Sequence, residues 1–435
     1  MYMKKEFLFA LYVCAASCMA VTCKKQSTNN PPPSADTSLV NTNHLDYLYT
    51  PLSFSTGTKA AGVFIYSEAP DYHRVGDADE GFTCVDDVAR AAQVYLRSSK
   101  FSSDTSVQNK AFNLIHFILE MQSANGYFYN FVFPDFSINT NGGTSVNNAN
   151  WWSWRALYTL SEASPLIRNK NAPLADKVDA AISKIIAKIK TDLVPIPQTN
   201  KIVNGIIVPQ WLPAGSGTDQ AAILMLGLIF SAGNDAVLTS YIKKLADGIA
   251  LMQQGDATHF PYSCILSWEN TWHAYGGDQA YALMKAGSFL HDATYTAKGM
   301  AEVDNFYPWL LQNAMKSSFE VHSDGTTIAL TSEKSFEQIA YGIRPMVSAA
   351  AEAYRLTNEE KYADLAGHLA AWFLGANEAN KTMYSVSTGR CFDGIESSSS
   401  VNTNSGAEST IEALLAMGIV ENYPAVRTAL NKYKK

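Results

Sequence analysis

The sequence contains few of the residues that build disulfide frameworks and transition-metal sites. Its 435 residues include six cysteines and eight histidines, and none of them shows Cys-x-x-Cys or His-x-x-x-His spacing. The sequence therefore contains no motif that indicates a transition-metal site, because such sites need clustered thiolate or imidazole ligands. An acidic loop at Asp77, Asp79 and Glu80 offers oxygen ligands for calcium but lacks the spacing of a calcium-binding loop. We therefore expect no metal and no redox cofactor.

Basic runs and long apolar runs are also missing. No run of Lys or Arg exceeds two residues, and the formal net charge is −7. Because a nucleic-acid partner requires a basic stripe, we expect none. The apolar stretch at residues 7–22 is too short to span a bilayer. With 47% hydrophobic residues, the rest of the chain can bury a sizeable core.

The N-terminal sequence has the features of a secretory signal peptide. Lys4 and Lys5 precede the apolar stretch, and Cys23 ends it. The Ser/Thr/Asn/Pro-rich segment that follows has the composition of an extended tether. We expect three parts: a signal peptide at 1–22, a flexible tether at 23–45 and a single domain at 46–435.

The stretch that ends at Cys23 resembles a bacterial lipoprotein signal, in which this cysteine carries the lipid. The resemblance implies a membrane-anchored protein in the periplasm or at the cell surface. Two alternatives stay open: Cys18 could be the lipidated residue, or an ordinary cleaved signal could leave no lipid. The three remaining cysteines, Cys84, Cys264 and Cys391, are an odd number, and we interpret them as structural.

A short polar motif opens a run of small or apolar residues six times, at steps of 65, 67, 59, 59 and 71 residues. The markers are Asp87, Trp152, Asp219, Asp278, Glu337 and Glu408. A repeat of about sixty residues with two helical segments is typical of stacked helical hairpins, which bury their apolar faces against neighbours. Six hairpins can close into a ring, so the sequence predicts an all-α fold, an (α/α)6 barrel.

The two segments of each repeat differ in where their apolar residues lie. Residues 221–230 are apolar on every side, which predicts an inner helix buried all round. Ile182, Ile185 and Ile189 mark one face among lysines, which predicts a half-solvated outer helix. The predicted helices span 86–100, 105–122, 151–163, 174–192, 218–232, 235–254, 276–290, 294–315, 336–356, 359–375, 406–418 and 421–433.

Long links follow the outer helices, and parallel inner helices would bring all of them to one end of the barrel. These links span about 123–150, 193–217, 255–275, 316–335 and 376–405. Long irregular loops are usually functional. Six of the eight tryptophans lie in these links or in the first turn of an inner helix. Indole rings beside carboxylates suit sugars, which offer flat C–H faces and many hydroxyls, so we expect a carbohydrate substrate.

Three motifs carry a family resemblance. They are Gly-Phe-Thr-Cys-Val-Asp-Asp-Val-Ala-Arg at 81–90, Gly-Arg-Cys-Phe-Asp-Gly at 389–394 and Asn-Thr-Asn-Ser-Gly-Ala-Glu-Ser-Thr at 402–410. Together they resemble the (α/α)6 six-hairpin glycosidase-like proteins over roughly residues 46–435. The resemblance implies the barrel fold and a sugar ligand. It leaves the chemistry open, since that superfamily includes hydrolases, lyases and epimerases.

Glycoside hydrolysis usually needs one carboxylic acid and one carboxylate on opposite sides of the scissile bond. Asp86 and Asp87 are adjacent at one helix start, where capping requires only one acid, and Arg90 can pair with either. Glu269 lies beside Trp268 in a loop where capping does not explain it. We predict Glu269 as the acid and Asp86 or Asp87 as the base or nucleophile. The full set of predicted catalytic residues is Asp86, Asp87, Glu269 and Glu408.

The predicted substrate-binding residues are Arg90, Trp151, Trp152, Trp211, Asp219, Trp268, Trp272, His273, Asp278, Glu337 and Asp393. For Asp219, Asp278 and Glu337 a structural interpretation competes, because acids in the first turn of a helix are favoured by its dipole. Capping also competes for Glu408. The tryptophans could simply plug the barrel mouth.

We expect a glycoside hydrolase that acts on an extracytoplasmic glycan or oligosaccharide. A polysaccharide lyase or sugar epimerase is the alternative among enzymes, and it would use His273, His259 and Tyr275. A glycan-binding lipoprotein without turnover is the alternative outside enzymes. Composition does not indicate an oligomeric state.

The lipoprotein interpretation predicts that Cys23→Ala moves the protein out of the membrane fraction, because the lipid supplies the anchoring free energy. Fractionation of cells that express this variant measures the shift, and Cys18→Ala is the matched control that should stay with membranes. Unchanged membrane partitioning of Cys23→Ala would contradict lipidation at this residue.

Overall fold

The computed structural model describes residues 38–435, of which Leu39–Lys435 form one compact unit. The predicted signal peptide, Cys23 and most of the predicted tether lie outside the described residues. The last residues assigned to the tether are packed, since Leu39, His44 and Leu45 are buried. His44 Nε2 also lies 2.8 Å from the carbonyl oxygen of Ser405. The compact unit therefore begins at Leu39 rather than at residue 46.

The described chain folds into two layers of helices. The inner helices are α2 (Val85–Leu96), α4 (Trp151–Ile167), α6 (Thr218–Ser231), α8 (Gln279–Leu290), α11 (Ala340–Thr357) and α13 (Ala407–Asn422). The outer helices are α3 (Thr105–Glu120), α5 (Ala172–Asp192), α7 (Ala236–Leu251), α9 (Ala293–Ala301) continued by α10 (Tyr307–Gln312), α12 (Glu360–Ala370) and α14 (Pro424–Tyr433). A short helix, α1 (Asn43–Leu48), precedes both layers.

The inner helices close into a ring. Each contacts the next in chain order, and α13 returns to α2. Each outer helix packs on the inner helix that precedes it. Ile185 on α5 and Leu310 on α10 are fully buried against the inner layer, as expected for the apolar faces of outer helices. The structure confirms the predicted (α/α)6 barrel.

Two of the predicted helices differ from the observed ones in where the regular α-helix begins or is interrupted. The segment predicted at 294–315 is interrupted by a π-helical turn at Glu302–Phe306. The helix predicted from residue 336 begins at Ala340. Its expected first turn is extended instead, because the backbone of Gln338 exchanges hydrogen bonds with Ile395 at 3.1 and 2.9 Å.

Short antiparallel strands occupy the links and the N-terminal region, where the sequence predicted irregular loops. The pairs are β1 (Tyr49–Ser53) with β2 (Lys59–Val63), β3 (Tyr66–Glu68) with β4 (His73–Val75), β5 (Thr83–Cys84) with β6 (Phe131–Val132), β7 (Asn200–Val203) with β8 (Ile206–Pro209), β9 (Gln253–Gln254) with β10 (Cys264–Ile265), and β14 (Gly394–Ser397) with β15 (Ser400–Asn402). A three-stranded sheet has the order β11 (Thr271–His273), β12 (Ser318–Ser323), β13 (Ile328–Lys334). These strands give the links fixed positions.

Close helix contacts in the inner ring depend on small residues. A Cβ atom on Gly227 of α6 would lie 3.0 Å from the backbone nitrogen of Tyr158 on α4, so glycine permits this approach. Residues on all sides of α6 are buried, in agreement with its uniformly apolar sequence. Within residues 38–435, no helix has both the length and the apolar character that crossing a bilayer requires.

The π-helical turn carries a buried carboxyl group. Glu302 is almost fully buried, and burial raises the pKa of its carboxyl to about 8. The backbone N–H of Ile265 donates a hydrogen bond to Oε1 at 2.9 Å, and this bond by itself lowers the pKa. The unfolded chain would ionise Glu302 near pH 4.5, whereas the folded chain keeps the proton up to about pH 8. Glu302 therefore lowers stability progressively as pH rises between these two values.

We expect Glu302→Gln to be more stable than the wild type by about 3 kcal/mol at pH 7, because the amide keeps the acceptor oxygen and cannot ionise. The difference should shrink towards zero as the pH falls to 4.5. Urea unfolding between pH 5 and pH 8 measures it, with Glu360→Gln on the exposed face of α12 as control. A difference that stays constant with pH would contradict the buried, protonated state of Glu302.

Candidate functional site

The N-terminal ends of the inner helices meet at one end of the barrel, which we call the mouth. Polar contacts between the first two turns of neighbouring helices demonstrate this. Trp154 Nε1 on α4 donates to Gln220 Oε1 on α6 at 3.2 Å. Gln279 Nε2 on α8 donates to Thr218 Oγ1 on α6, also at 3.2 Å. The acidic markers therefore share one rim, as the repeat predicted.

Three buried arginines form a layer across the barrel just below the mouth. This arginine layer consists of Arg90 on α2, Arg155 on α4 and Arg344 on α11. Glu412 of α13 is fully buried and bridges two of them, because Arg90 Nη1 donates to Oε1 at 2.8 Å and Arg344 Nε donates to Oε2 at 2.6 Å. Burial opposes ionisation of Glu412, but Arg344 and Arg90 hold the pKa of its carboxyl below the ordinary value.

Tyr341 lies in the middle of this layer. Its ring centroid is 5.0 Å from the guanidinium carbon of Arg90, 4.8 Å from that of Arg155 and 5.8 Å from that of Arg344. Arg155 Nη2 also donates to the Tyr341 hydroxyl. Guanidinium groups are attracted to the face of an aromatic ring, so Tyr341 helps to hold three like charges close together.

Asp86 and Asp87 bind the arginine layer from above. Asp86 Oδ1 lies 2.7 Å from Arg155 Nε as an ion pair, although the N–H is not aligned for a hydrogen bond. Asp87 Oδ1 accepts from Arg90 Nη2 at 2.8 Å, and Cys84 Sγ lies 3.4 Å from Asp87 Oδ2. Burial raises the pKa of the Asp87 carboxyl to about 6, against the effect of Arg90. Both acids thus have structural partners.

Glu408 reaches the mouth from the first turn of α13. Its Oε2 accepts from Arg90 Nη2 at 3.1 Å, while 44% of its side chain is exposed. The hydrogen bond of the Glu408 side chain goes to Arg90 rather than to a backbone N–H at the start of its helix. Arg90 therefore joins the predicted residues Asp87 and Glu408, whereas the carboxylate of the adjacent Asp86 pairs with Arg155.

Glu408 lines a cavity of about 220 Å³ that opens at the mouth. This mouth cavity also contains Glu337 and Asp393, beneath the exposed ring of Tyr66. Asp393 Oδ1 accepts from Ser409 Oγ at 2.6 Å and from the backbone N–H of Gly406 at 2.8 Å. Burial nevertheless raises the pKa of Asp393. Glu337 is exposed and has no hydrogen bond or ion pair among residues 38–435.

His273 and Asp219 form a second pair at the mouth, between α6 and α8. His273 Nε2 lies 3.1 Å from Asp219 Oδ2, and Nδ1 lies 2.9 Å from the carbonyl oxygen of Tyr275. A neutral imidazole donates from one nitrogen only. Both contacts are therefore hydrogen bonds only when the pair carries an extra proton. The exposed ring of Tyr275 stacks on His273 at 3.7 Å and covers it.

Glu269 is not part of the carboxylate group that we predicted. Its Oε1 pairs with Lys201 Nζ on β7, and its backbone N–H donates to Ser216 Oγ at 3.2 Å. None of its contacts within residues 38–435 reaches the arginine layer or the mouth cavity. Its loop packs instead on the link that precedes α6, since Trp268 Nε1 donates to the carbonyl oxygen of Ala214 at 3.2 Å.

Three of the tryptophans predicted as stacking surfaces are buried. Trp152 donates to the carbonyl oxygen of Phe128 at 2.8 Å, and Trp211 donates to that of Lys244 at 3.0 Å. Trp272 is enclosed by other aromatic rings. For these three the structural interpretation is correct, because their faces are not accessible. Trp151 and Trp268 remain at the surface, and 44% of Trp268 is exposed.

Two further residues that we predicted to contact the substrate, Arg90 and Asp278, are buried and paired with charged side chains of the protein. Arg90 is saturated by Asp87, Glu408 and Glu412. Asp278 accepts from Arg344 Nη1 at 2.6 Å and from Nη2 at 3.3 Å, and its side chain is buried. Asp278 makes no capping bond either, so an ion pair explains it.

Sequence reasoning missed Arg155, Tyr341, Arg344 and Glu412. A signal was present, since Arg344 and Glu412 interrupt helices that otherwise read as buried on every side. A buried charge requires a partner, so such interruptions indicate ion pairs inside the ring. The identity of each partner depends on the register between helices, which the sequence does not state.

No cluster of three or more His, Cys, Asp or Glu side chains suited to a metal ion occurs in the described part of the chain. In the acidic loop at 77–80, Asp77 Oδ1 accepts from the backbone N–H groups of Asp79 and Glu80 at 2.8 and 2.9 Å. This loop is therefore a hydrogen-bonded turn. Cys84, Cys264 and Cys391 are free and buried.

We expect Glu412→Gln to lower the free energy of unfolding by about 3 kcal/mol, because two buried guanidinium groups lose their shared negative charge. Urea unfolding at pH 7 measures the loss. Glu302→Gln is the matched control, since it changes an equally buried glutamate that has no cationic partner and should shift stability the opposite way. Equal effects of the two substitutions would contradict the role assigned to Glu412.

The sequence matches no protein-family model and no curated protein. Solved structures with a similar backbone include a cellobiose 2-epimerase from Bacillus thermoamylovorans B4167, with 12% identity over 83% of this chain and 92% of that chain and a TM-score of 0.58. A D-mannose isomerase matches with 12% identity over 84% and 91% and a TM-score of 0.55. A cellobiose 2-epimerase from Spirochaeta thermophila DSM 6192 matches with 12% identity over 85% and 91% and a TM-score of 0.53. The chain thus has the six-hairpin fold of these proteins.

Proposed function

We propose that the protein is a glycoside hydrolase that acts on a glycan or oligosaccharide at the mouth cavity. The observation that carries this proposal is the convergence of Glu337, Asp393 and Glu408 on one open cavity of about 220 Å³. Glycosidases need a carboxylic acid and a carboxylate near the same bond. The mouth cavity offers both kinds of group.

Different surroundings suit two of these carboxyl groups to different roles. Asp393, whose pKa burial raises, is suited to hold the proton that passes to the leaving glycosidic oxygen. Glu408 accepts a hydrogen bond from Arg90 and leaves 44% of its side chain exposed to the cavity. As a carboxylate it would either attack the anomeric carbon or accept a proton from the attacking water. Glu337 is a further acidic residue of the cavity, and its side chain has no hydrogen bond or ion pair among residues 38–435.

The sugar-active proteins that share this fold support a carbohydrate ligand. Their names describe epimerases and an isomerase, so a second candidate is an epimerase that uses the His273–Asp219 pair. Against it, both ring nitrogens of His273 already have partners and Tyr275 covers the ring. A substrate could reach His273 only after Tyr275 moved. A mouth that binds glycans without turnover is the third candidate.

We also propose that the protein is anchored by a lipid on Cys23 and works in the periplasm or at the cell surface. The support is the N-terminal sequence, in which an apolar stretch ends at Cys23 before a Ser/Thr/Asn/Pro-rich segment. Such a location would give the mouth access to extracellular glycans.

Incubation of the purified full chain with a panel of glycans distinguishes the three candidates, and it also detects a lyase. A hydrolase releases reducing ends without ultraviolet-absorbing products, whereas a lyase releases both. An epimerase changes the sugar without cleaving it, which NMR detects. We expect new reducing ends. An epimerised disaccharide without cleavage, which no longer forms with the His273→Asn variant, would support the epimerase instead. Saturable binding with none of these products would support the third.

We expect Asp393→Asn and Glu408→Gln each to lower turnover by about a hundredfold or more, because each removes a proton-transfer or nucleophilic group and leaves the side-chain shape. Reducing-end release and melting temperature are measured on the same samples. Glu269→Gln is the matched control, since it changes a carboxylate bound to Lys201 and should retain activity. Full activity in both test variants, with loss in Glu269→Gln, would restore the assignment made from the sequence.

A further inference from the structure

A second cavity lies on the far side of the arginine layer from the mouth. This rear cavity has a volume of about 230 Å³, and Arg90, Arg155 and Arg344 form its roof. Its walls come from later turns of the inner helices, including Phe230 of α6 and Ile419 of α13. The rear cavity therefore opens towards the C-terminal ends of the inner helices, opposite the mouth. The mechanism proposed above does not use it.

Unsatisfied polar groups converge in the rear cavity. Gln93 of α2 is only 4% exposed, and its side-chain amide has no hydrogen-bond partner among residues 38–435 although it lines the cavity. The hydroxyl groups of Tyr281 and Tyr423 also line it and have no partner in the same part of the chain. Buried polar groups are nearly always hydrogen-bonded in folded proteins, so the amide of Gln93 points to a hydrogen-bonding occupant. The hydroxyl groups of Tyr281 and Tyr423, which are partly buried, offer that occupant two further hydrogen-bonding groups.

The charges around the rear cavity are already neutralised. In the roof, Arg90, Arg155 and Arg344 each pair with a carboxylate. At the rim, Arg97 donates to both oxygens of Glu162, at 2.7 and 2.8 Å. An anion would have to displace one of these carboxylates, so the occupant is electrically neutral.

The walls add flat aromatic surfaces to the polar groups. Tyr158 and Phe230 stand side by side, with ring centroids 5.9 Å apart and planes inclined by 32°. Arg97 Nη2 donates to the Tyr158 hydroxyl at 3.2 Å and fixes that ring. The volume lies below the range of about 300 to 1,000 Å³ that is typical of drug-sized ligands, which limits the occupant to a small molecule.

We propose that the rear cavity is a second binding site, separate from the mouth, for a small neutral polyhydroxylated molecule of monosaccharide size. The Gln93 amide and the tyrosine hydroxyls hydrogen-bond its hydroxyl groups, and the aromatic walls pack on its C–H faces. This site does not require turnover at the mouth. The two cavities are connected through Arg90, which lines the rear cavity and binds Glu408, a residue that lines the mouth cavity.

Binding of D-glucose, D-galactose and D-mannose to the full chain tests the proposal. Saturation-transfer NMR and calorimetry detect the complex. We expect at least one of these sugars to bind with one-to-one stoichiometry, Gln93→Leu to weaken it by about fivefold or more, and Tyr281→Phe to weaken it by a smaller factor. Glu337→Gln, which changes a mouth residue, should leave this affinity unchanged.

Two outcomes would overturn the proposal. One is that none of the three sugars binds the wild type, which would mean that the rear cavity holds water only. The other is that binding survives Gln93→Leu but is lost in Glu337→Gln, which would place the sugar at the mouth. If the melting curve shows that Gln93→Leu does not fold, the sugar affinity of Tyr281→Phe is the test instead. An affinity equal to that of the wild type would then contradict the rear binding site. Since binding is measured directly, these outcomes are independent of hydrolase activity.

Discussion

The shared carboxylate of Glu412 is the interaction on which the rest of the structure depends. It lies fully buried between Arg90 and Arg344, and these arginines continue to Asp87, Glu408 and Asp278. Buried charges are tolerated only when each has partners in good geometry. The inner helices must therefore keep a fixed height and rotation relative to one another. Apolar packing alone would permit small slides between helices, because it is not directional.

This constraint explains how the mouth is organised. Arg90 holds Glu408 at the base of the mouth cavity, and Tyr341 separates the positive charges around it. The outer helices take no part in this network and use local caps instead; Asp104, Asp235 and Asp292 each accept backbone N–H groups at a helix start. At the starts of inner helices, Asp87, Asp278 and Glu408 instead pair with arginines.

The sequence predicted the fold well because its signals are local and repeated. Apolar periodicity and the spacing of the six markers identified every inner and outer helix. It predicted the site in part: Asp87 and Glu408 do meet at Arg90, since adjacent ring positions follow from six-fold closure. Glu269 was misplaced because its partner, Lys201, lies on a strand of an adjoining link whose fold has no periodic signal. Trp152, Trp211 and Trp272 were misread because residue type does not reveal which way a ring points.

The polar contacts between neighbouring inner helices are not equivalent around the ring. An Asp–Arg pair joins α2 to α4, a tryptophan and a glutamine join α4 to α6, and a threonine and a glutamine join α6 to α8. In an open solenoid of like repeats, units can be duplicated or lost because every seam is equivalent. In this barrel, the polar residues between two neighbouring inner helices match each other. An added or deleted hairpin would therefore leave a charge or an amide without a partner inside the ring. The number of hairpins is therefore fixed by electrostatics as well as by geometry.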